Sequence, residues 1–365
     1  MTLPTLPILE EGARIYWCGI QRKAKGWKRY SGDYRAICSQ IVKECWNGQY
    51  FQTSAGHFRQ FYARDFGWCI AGLLKQKYHE KCNTTMRFAL QRYASYGRIT
   101  TCITPGGQPF DFPNVYSPDS VAYFFRSLLL LNNKELIEQY HSFLQREVDR
   151  FFATAVDPKT GLAQRKIHFS GMKDYAVRDA SCYDSTAIGL MQAVLKKLMM
   201  FENPLKHYNM KKALLDRYWT GSYFRDDLSG SDFVSGDANV YPFLFGILED
   251  TTKLKSAIAR MHEVGLATPF PLRYEPAGAL TNHLWHEWLV PHWQRSCHWS
   301  SIGLDYISLL GKISKKQQTQ ALYRYRDLVE KHDTLFECYR SDGTPYSSAW
   351  YHADEAMLWA VKLLL

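Results

Sequence analysis

The chain has 365 residues, 46% hydrophobic and 15% aromatic, enough to bury a large core. Its formal charge of +10, from 45 basic and 35 acidic side chains, is scattered rather than clustered, so no nucleic-acid partner is expected. Nine cysteines at irregular spacings, no Cys-x-x-Cys pair, no apolar run of membrane-spanning length and no signal-like N-terminus point to a cytoplasmic protein without a disulfide framework or membrane partner.

Residues 1–30 are expected to be an N-terminal extension, with the basic run Arg22 to Arg29 as a tether for an acidic surface. The rest, 31–365, has no Pro/Ser/Gly-rich linker and is expected to be a single domain. Apolar spacing with matching start and stop residues predicts helices over 33–46, 65–76, 81–96, 117–131 and 134–153. The turn chemistry of Asp157-Pro-Lys-Thr-Gly161 then predicts a small β-hairpin. Further helices are predicted over 184–199, 206–219, 239–249, 251–264, 300–310, 315–331 and from Ala349 to the end.

That makes six consecutive pairs. The second member of each is apolar nearly all round, as in Ala187-Ile-Gly-Leu-Met-Gln-Ala-Val-Leu195, and the first is amphipathic. Inner helices of a double-layered barrel are buried all round and outer ones on one face. The expected fold is therefore all-α, an (α/α)6 toroid of six helical hairpins with the β-hairpin in one inter-helix loop. No 34- or 40-residue repeat supports a solenoid.

The loops into the inner helices share one end of such a barrel. There stand Arg64 and Asp65, Asp119, Asp184, Asp237, Arg295 with His298 and Trp299, and Glu337 with Trp350. Capping accounts for an Asp at a helix start, but not for Arg64 or Arg295, whose charge opposes the dipole there. Carboxylates, guanidiniums and indoles such as Trp68, Trp299 and Trp350 in one pocket suit a polyhydroxylated substrate. Two carboxylates about 6.5–9.5 Å apart could then act as acid and base on a glycosidic bond with inversion. Burial against aromatic side chains would keep such an acid protonated near neutral pH. Cys182, Cys297 and His298 form a conceivable zinc set, but their spacing is not diagnostic. No metal and no cofactor is expected.

These residues resemble the motifs of the six-hairpin glycosidases, the (α/α)6 group of glucoamylases, trehalases, neutral invertases and the processing α-glucosidase/mannosylglycerate-hydrolase family. Tyr62-Ala-Arg64-Asp65-Phe66 resembles the Arg-Asp motif that holds the terminal sugar's hydroxyls. Tyr183-Asp184-Ser185 resembles the element supplying the general acid, and Arg295-x-x-x-Trp299 a sugar-binding motif. Glu337-x-Tyr339, followed by Gly343 and Trp350, resembles the pattern whose Glu is the general base. Asp184 lacks the usual preceding Gly-Trp, while Gln294 and Ser296 stand where Trp and Gly are usual. The resemblance implies inverting, exo-type hydrolysis of a short α-linked, gluco-configured substrate. Asp184 is its acid, with Asp179 as substitute, and Glu337 its base. Arg64, Asp65, Trp68, Asp119, Tyr183, Asp237, Arg295, His298, Trp299 and Trp350 bind the sugar. A sugar epimerase and an inactive carbohydrate-binding barrel are the alternatives.

Overall fold

Six inner segments close into a ring, and six outer helices cover it. The computed structural model describes residues 6–279 and 281–365. Its helices are α1 (Leu6–Lys25), α2 (Tyr34–Glu44), α3 (Ala63–Lys75), α4 (His79–Tyr96), α5 (Pro118–Leu131), α6 (Lys134–Gln139) and α7 (His141–Ala155). Then follow α8 (Cys182–Leu198), α9 (Met210–Tyr218), α10 (Gly236–Leu244), α11 (Thr251–Glu263), α12 (Trp293–Ser296), α13 (Ser300–Ile313), α14 (Lys315–His332) and a terminal 3₁₀ helix, Leu358–Leu364. The inner neighbours run α3, α5, α8, α10, α13, the 3₁₀ helix, and back to α3.

The two layers follow from composition. On α8 every residue from Cys182 to Met191 is buried, as an element walled on all sides requires. Close approach inside the ring needs small residues: a Cβ on Gly67 of α3 would lie 2.5 Å from the Tyr123 Cβ of α5. Outer α11 instead buries one stripe, Leu254, Ala257, Ile258 and Met261, and takes its N-cap from Asp250.

Four local expectations are corrected. The last inner segment is not a helix from Ala349. Residues 351–361 are all buried, and Asp354, Glu355 and Tyr351 bond to partners on different sides, which a 3.6-residue period cannot serve. The chain stays irregular until Leu358. The hairpin around Asp157 shrinks to one bridge, Val156 to Ala163, because the Asp157 carboxylate and carbonyl close the turn locally. Helix α10 stops at Leu244 because Gly246 turns to φ 70°. The basic run is no free tether, since it closes on the chain itself. Arg22 lies 2.7 Å from buried Glu355, Arg29 3.2 Å from Asp333, and Lys28 pairs with Glu44. The α1 helix thus lies against the C-terminal loop, with Tyr16 edge-on to Trp350.

Candidate active site

A cavity with about 520 Å³ of empty space, its mouth included, opens where the inner segments begin. Its walls come from the start of α3 (Arg64, Asp65, Trp68), the loop before α8 (Met172, Asp174), short α12 (Trp293), the start of α13 (Trp299, Ser301), and the C-terminal stretch (Glu337, Trp359). Its walls are largely aromatic with a few charged groups, as in small-ligand sites.

Glu337 is held from both backbone sides. Its N–H donates to the Asp354 carbonyl at 2.9 Å and its carbonyl accepts from Ser300 N–H at 2.9 Å, at the point where strand β5 (Cys338–Tyr339) pairs antiparallel with β4 (His298–Trp299). (Three short strands, β1 to β3 over Phe61–Tyr62, Cys102–Ile103 and Pro109–Phe110, precede these in the chain.) The Glu337 Oε1 accepts from the Tyr351 hydroxyl, from Trp293 Nε1–H at 3.3 Å and from Asp354 N–H at 3.3 Å. Burial pushes its carboxyl up to about 8, against the pull of the Tyr351 hydrogen bond.

Asp174 lies in the loop 170–178 and faces the same cavity. It accepts from Ser170 Oγ at 3.2 Å and from Gln294 Nε2 at 3.3 Å. Burial raises it to about 6, although Arg64 Nη1, 3.7 Å away, favours the ionised form. Trp293 and Gln294 are consecutive residues of α12. One donates to Glu337 and the other to Asp174, so a single turn of chain ties the two carboxylates together.

The loop bearing Asp174 is braced from behind by buried charges. Lys173 Nζ sits 3.0 Å from Asp226 and 3.1 Å from Glu275, with its side chain fully buried. Arg178 pairs with Asp237 at 2.8 Å and donates to the Gly171 carbonyl at 2.5 Å. Met172 N–H donates to Asp119 at 3.3 Å. Gly171 packs on Asp184 so closely that a Cβ would come 2.0 Å from its Oδ1.

Of the residues expected from the sequence, Arg64, Asp65, Trp68, Trp299 and Glu337 line the cavity together. Asp119, Tyr183, Asp184 and Asp237 are buried behind it, and their partners are Arg64, the Asp174 loop and one another's helix starts. Asp184 accepts from Ser181 Oγ at 2.5 Å, and burial raises it to about 7. Arg295 pairs with Glu287 at 3.1 Å, His298 accepts from Arg273 Nε at 3.1 Å, and Trp350 is half exposed on the surface beside α1. The substitute Asp179 pairs with Arg165 at 2.6 Å. Cys182 bonds to the Ala238 carbonyl on the far side of the α8 start, and among the described residues no cluster of three or more potential ligands could hold a metal ion.

Sequence reasoning missed Asp174, Trp293 and Trp359. The available signal was the pattern Lys173-Asp174-Tyr175 with Arg178: two cations around one carboxylate in a loop too short to solvate them all.

No family model and no curated protein matches the sequence. Solved structures do match its fold. A bacterial glucoamylase complexed with acarbose superposes with a TM-score of 0.66 at 12% identity, covering 95% of this chain and 56% of that one. A glycosidase variant in complex with glucose gives 0.64 at 11% identity over 97% and 96%. A rhamnosidase from Klebsiella oxytoca with rhamnose bound gives 0.62 at 10% identity over 91% and 63%. The chain therefore spans under two thirds of the rhamnosidase and the glucoamylase, and nearly all of the glucose-bound glycosidase. At these identities the likeness is one of fold, the six-hairpin toroid of these glycosidases.

Proposed function

We propose that the protein is a glycoside hydrolase that removes a terminal sugar with inversion, using Asp174 as general acid and Glu337 as general base. The observation that carries this reading is the pair itself, two buried carboxyl groups on the wall of one aromatic cavity; with values raised to about 6 and about 8, the reactive form, Asp174 protonated and Glu337 ionised, is the minor one of the singly protonated pair. The loop with Asp174 leads into α8 and the stretch with Glu337 leads into the 3₁₀ helix. These segments hold opposite places in the inner ring, as an attack on one face and departure from the other demand.

In this mechanism Asp174 gives its proton to the leaving oxygen while Glu337 takes one from the attacking water. Three donors fixed on one oxygen of Glu337 stabilise its ionised form and orient the other oxygen's approach to water. Arg64 and Asp65 grip hydroxyls of the terminal unit, and Trp68, Trp299 and Trp359 pack on its C–H faces. Asp65 is fixed for this by Trp359 Nε1–H at 3.0 Å. The acid is assigned to Asp174 rather than Asp184 because Asp174 lines the cavity, while Asp184 supports its loop from behind. In our reading the action is exo-type, on a short, α-linked, gluco-configured substrate.

The test is a panel of aryl glycosides and disaccharides assayed for released sugar, with the product anomer read by proton NMR before mutarotation. Glu337→Gln serves as the control. An inverted anomer, lost in that variant, is expected; a retained anomer, or full activity of Glu337→Gln, overturns the mechanism.

A further inference from the structure

We infer that the cavity admits a glycosyl unit without an anionic group and rejects the corresponding uronic acids and sugar phosphates. The inference rests on the reading of the cavity as a sugar site, and it is carried by the charge arrangement of its walls. Among the described lining residues, three are carboxylates, Asp65, Asp174 and Glu337, and the one cation is Arg64. The charge of that guanidinium is offset by three carboxyl groups, with Asp119 at 3.4 Å, Asp174 at 3.7 Å and Asp65 at 3.8 Å.

Three further cations of the surrounding loops are paired with carboxylates of their own. Lys173 is enclosed by Asp226 and Glu275, Arg178 by Asp226 and Asp237, and Arg295 by Glu287. The helix starts around the cavity are the remaining source of positive potential. Those of α3, α5, α8 and α10 each carry an acidic residue in the first turn, namely Asp65, Asp119, Asp184 and Asp237, which answers the dipole from within, while that of α13 carries none and has its first N–H, that of Ser300, taken by the Glu337 carbonyl at 2.9 Å. The aromatic walls add to this, because ring faces carry negative partial charge and repel anions while accepting sugar C–H groups. An incoming carboxylate would meet like charge in a site poor in water, where such juxtaposition is most costly.

The experiment titrates the full chain with matched pairs, glucose against glucuronate and glucose 6-phosphate, and likewise the galactose and mannose sets. Binding is followed by the fluorescence of the tryptophans that line the cavity and by calorimetry. At least one neutral sugar binds, and its anionic counterparts bind at least ~100-fold more weakly, about 2.7 kcal/mol. In Asp65→Asn the gap narrows roughly tenfold, since one of the repelling charges is gone. Equal or tighter binding of any anionic member overturns the inference, as does silence of every neutral sugar. Hydrolysis is scored separately. Selective binding without turnover of any glycoside defeats the hydrolase reading alone, and turnover of a uronide defeats this inference alone.

Discussion

Tyr351→Phe isolates the strongest donor to Glu337 and tests the acid and base assignment in one variant. The Tyr351 hydroxyl is buried, donates to Glu337 Oε1 and lies 3.3 Å from His57 Nε2. Its loss leaves the ring in place and removes one hydrogen bond to the ionised form. Hydrogen bonds to charged groups contribute roughly 1.5–3 kcal/mol, and one pKa unit is about 1.4 kcal/mol, so the Glu337 carboxyl should rise by roughly one to two units. In the parent protein kcat/KM should pass through a bell with limbs at about 6 and about 8, since the pair must carry one proton between them. In Tyr351→Phe the lower limb stays and the upper limb moves to roughly 9–10. The plateau also falls, by up to the same ~10- to 100-fold, because the shared proton, which already favours Glu337 in the parent, is then found on Asp174 still less often. The assay is kcat/KM against pH on a glycoside that the parent hydrolyses, with thermal melting to show that the variant is folded. A stationary upper limb would refute the account of Glu337. A shifted limb without plateau loss would make Glu337 the acid and Asp174 the base.

Asp174→Asn should cost ~10²- to 10⁴-fold on an alkyl glycoside or disaccharide but little on an aryl glycoside with a strongly acidic leaving group, which needs no proton. Asp184→Asn should show no such leaving-group dependence and should instead lower the melting temperature, which calorimetry reads directly. Lys173→Met strands Asp226 and Glu275 in the interior, so a loss of stability of about 3–5 kcal/mol is expected in urea unfolding, larger than for exposed Lys212→Met. Glu337→Gln should raise stability with a defined pH dependence. The folded carboxyl titrates near 8 against an ordinary 4.5, so the folded state holds its proton more tightly and the cost of ionising it accumulates as pH rises between those values. The variant should therefore melt several degrees higher than the parent at about pH 9 and no higher near pH 4. The opposite trend would show that the carboxylate is stabilised in the fold.

The architecture was legible because it rests on local periodicity. Helices apolar all round alternate with helices apolar on one face, and that alternation needs no knowledge of long-range contacts. Arg64 was legible for a related reason, since a cation at a helix start conflicts with ordinary local preferences, while Asp65 and Glu337 were legible through their resemblance to glycosidase motifs. The terminal 3₁₀ segment was not legible, because the apolar run from Ala353 to Leu365 satisfies a helical pattern. Its backbone is instead committed to Leu335, Glu337 and Thr53, far away in sequence.

The loop that bears Asp174 shows the same division more sharply. In the sequence, Asp184 and Asp174 are two carboxylates ten residues apart, and the resemblance of Tyr183-Asp184-Ser185 to a glycosidase motif makes Asp184 the candidate. Only the folded ring separates them. Packing of Gly171 against Asp184, and of Lys173 between Asp226 and Glu275, turns the loop so that Asp174 meets the cavity beside Arg64 while Asp184 stays behind it. The sequence by itself determined which helices are inner, and so at which end a site could form. Which carboxylate enters that site was decided by charge pairs and hydrogen bonds spanning 53 to 120 residues, interactions that local periodicity does not encode.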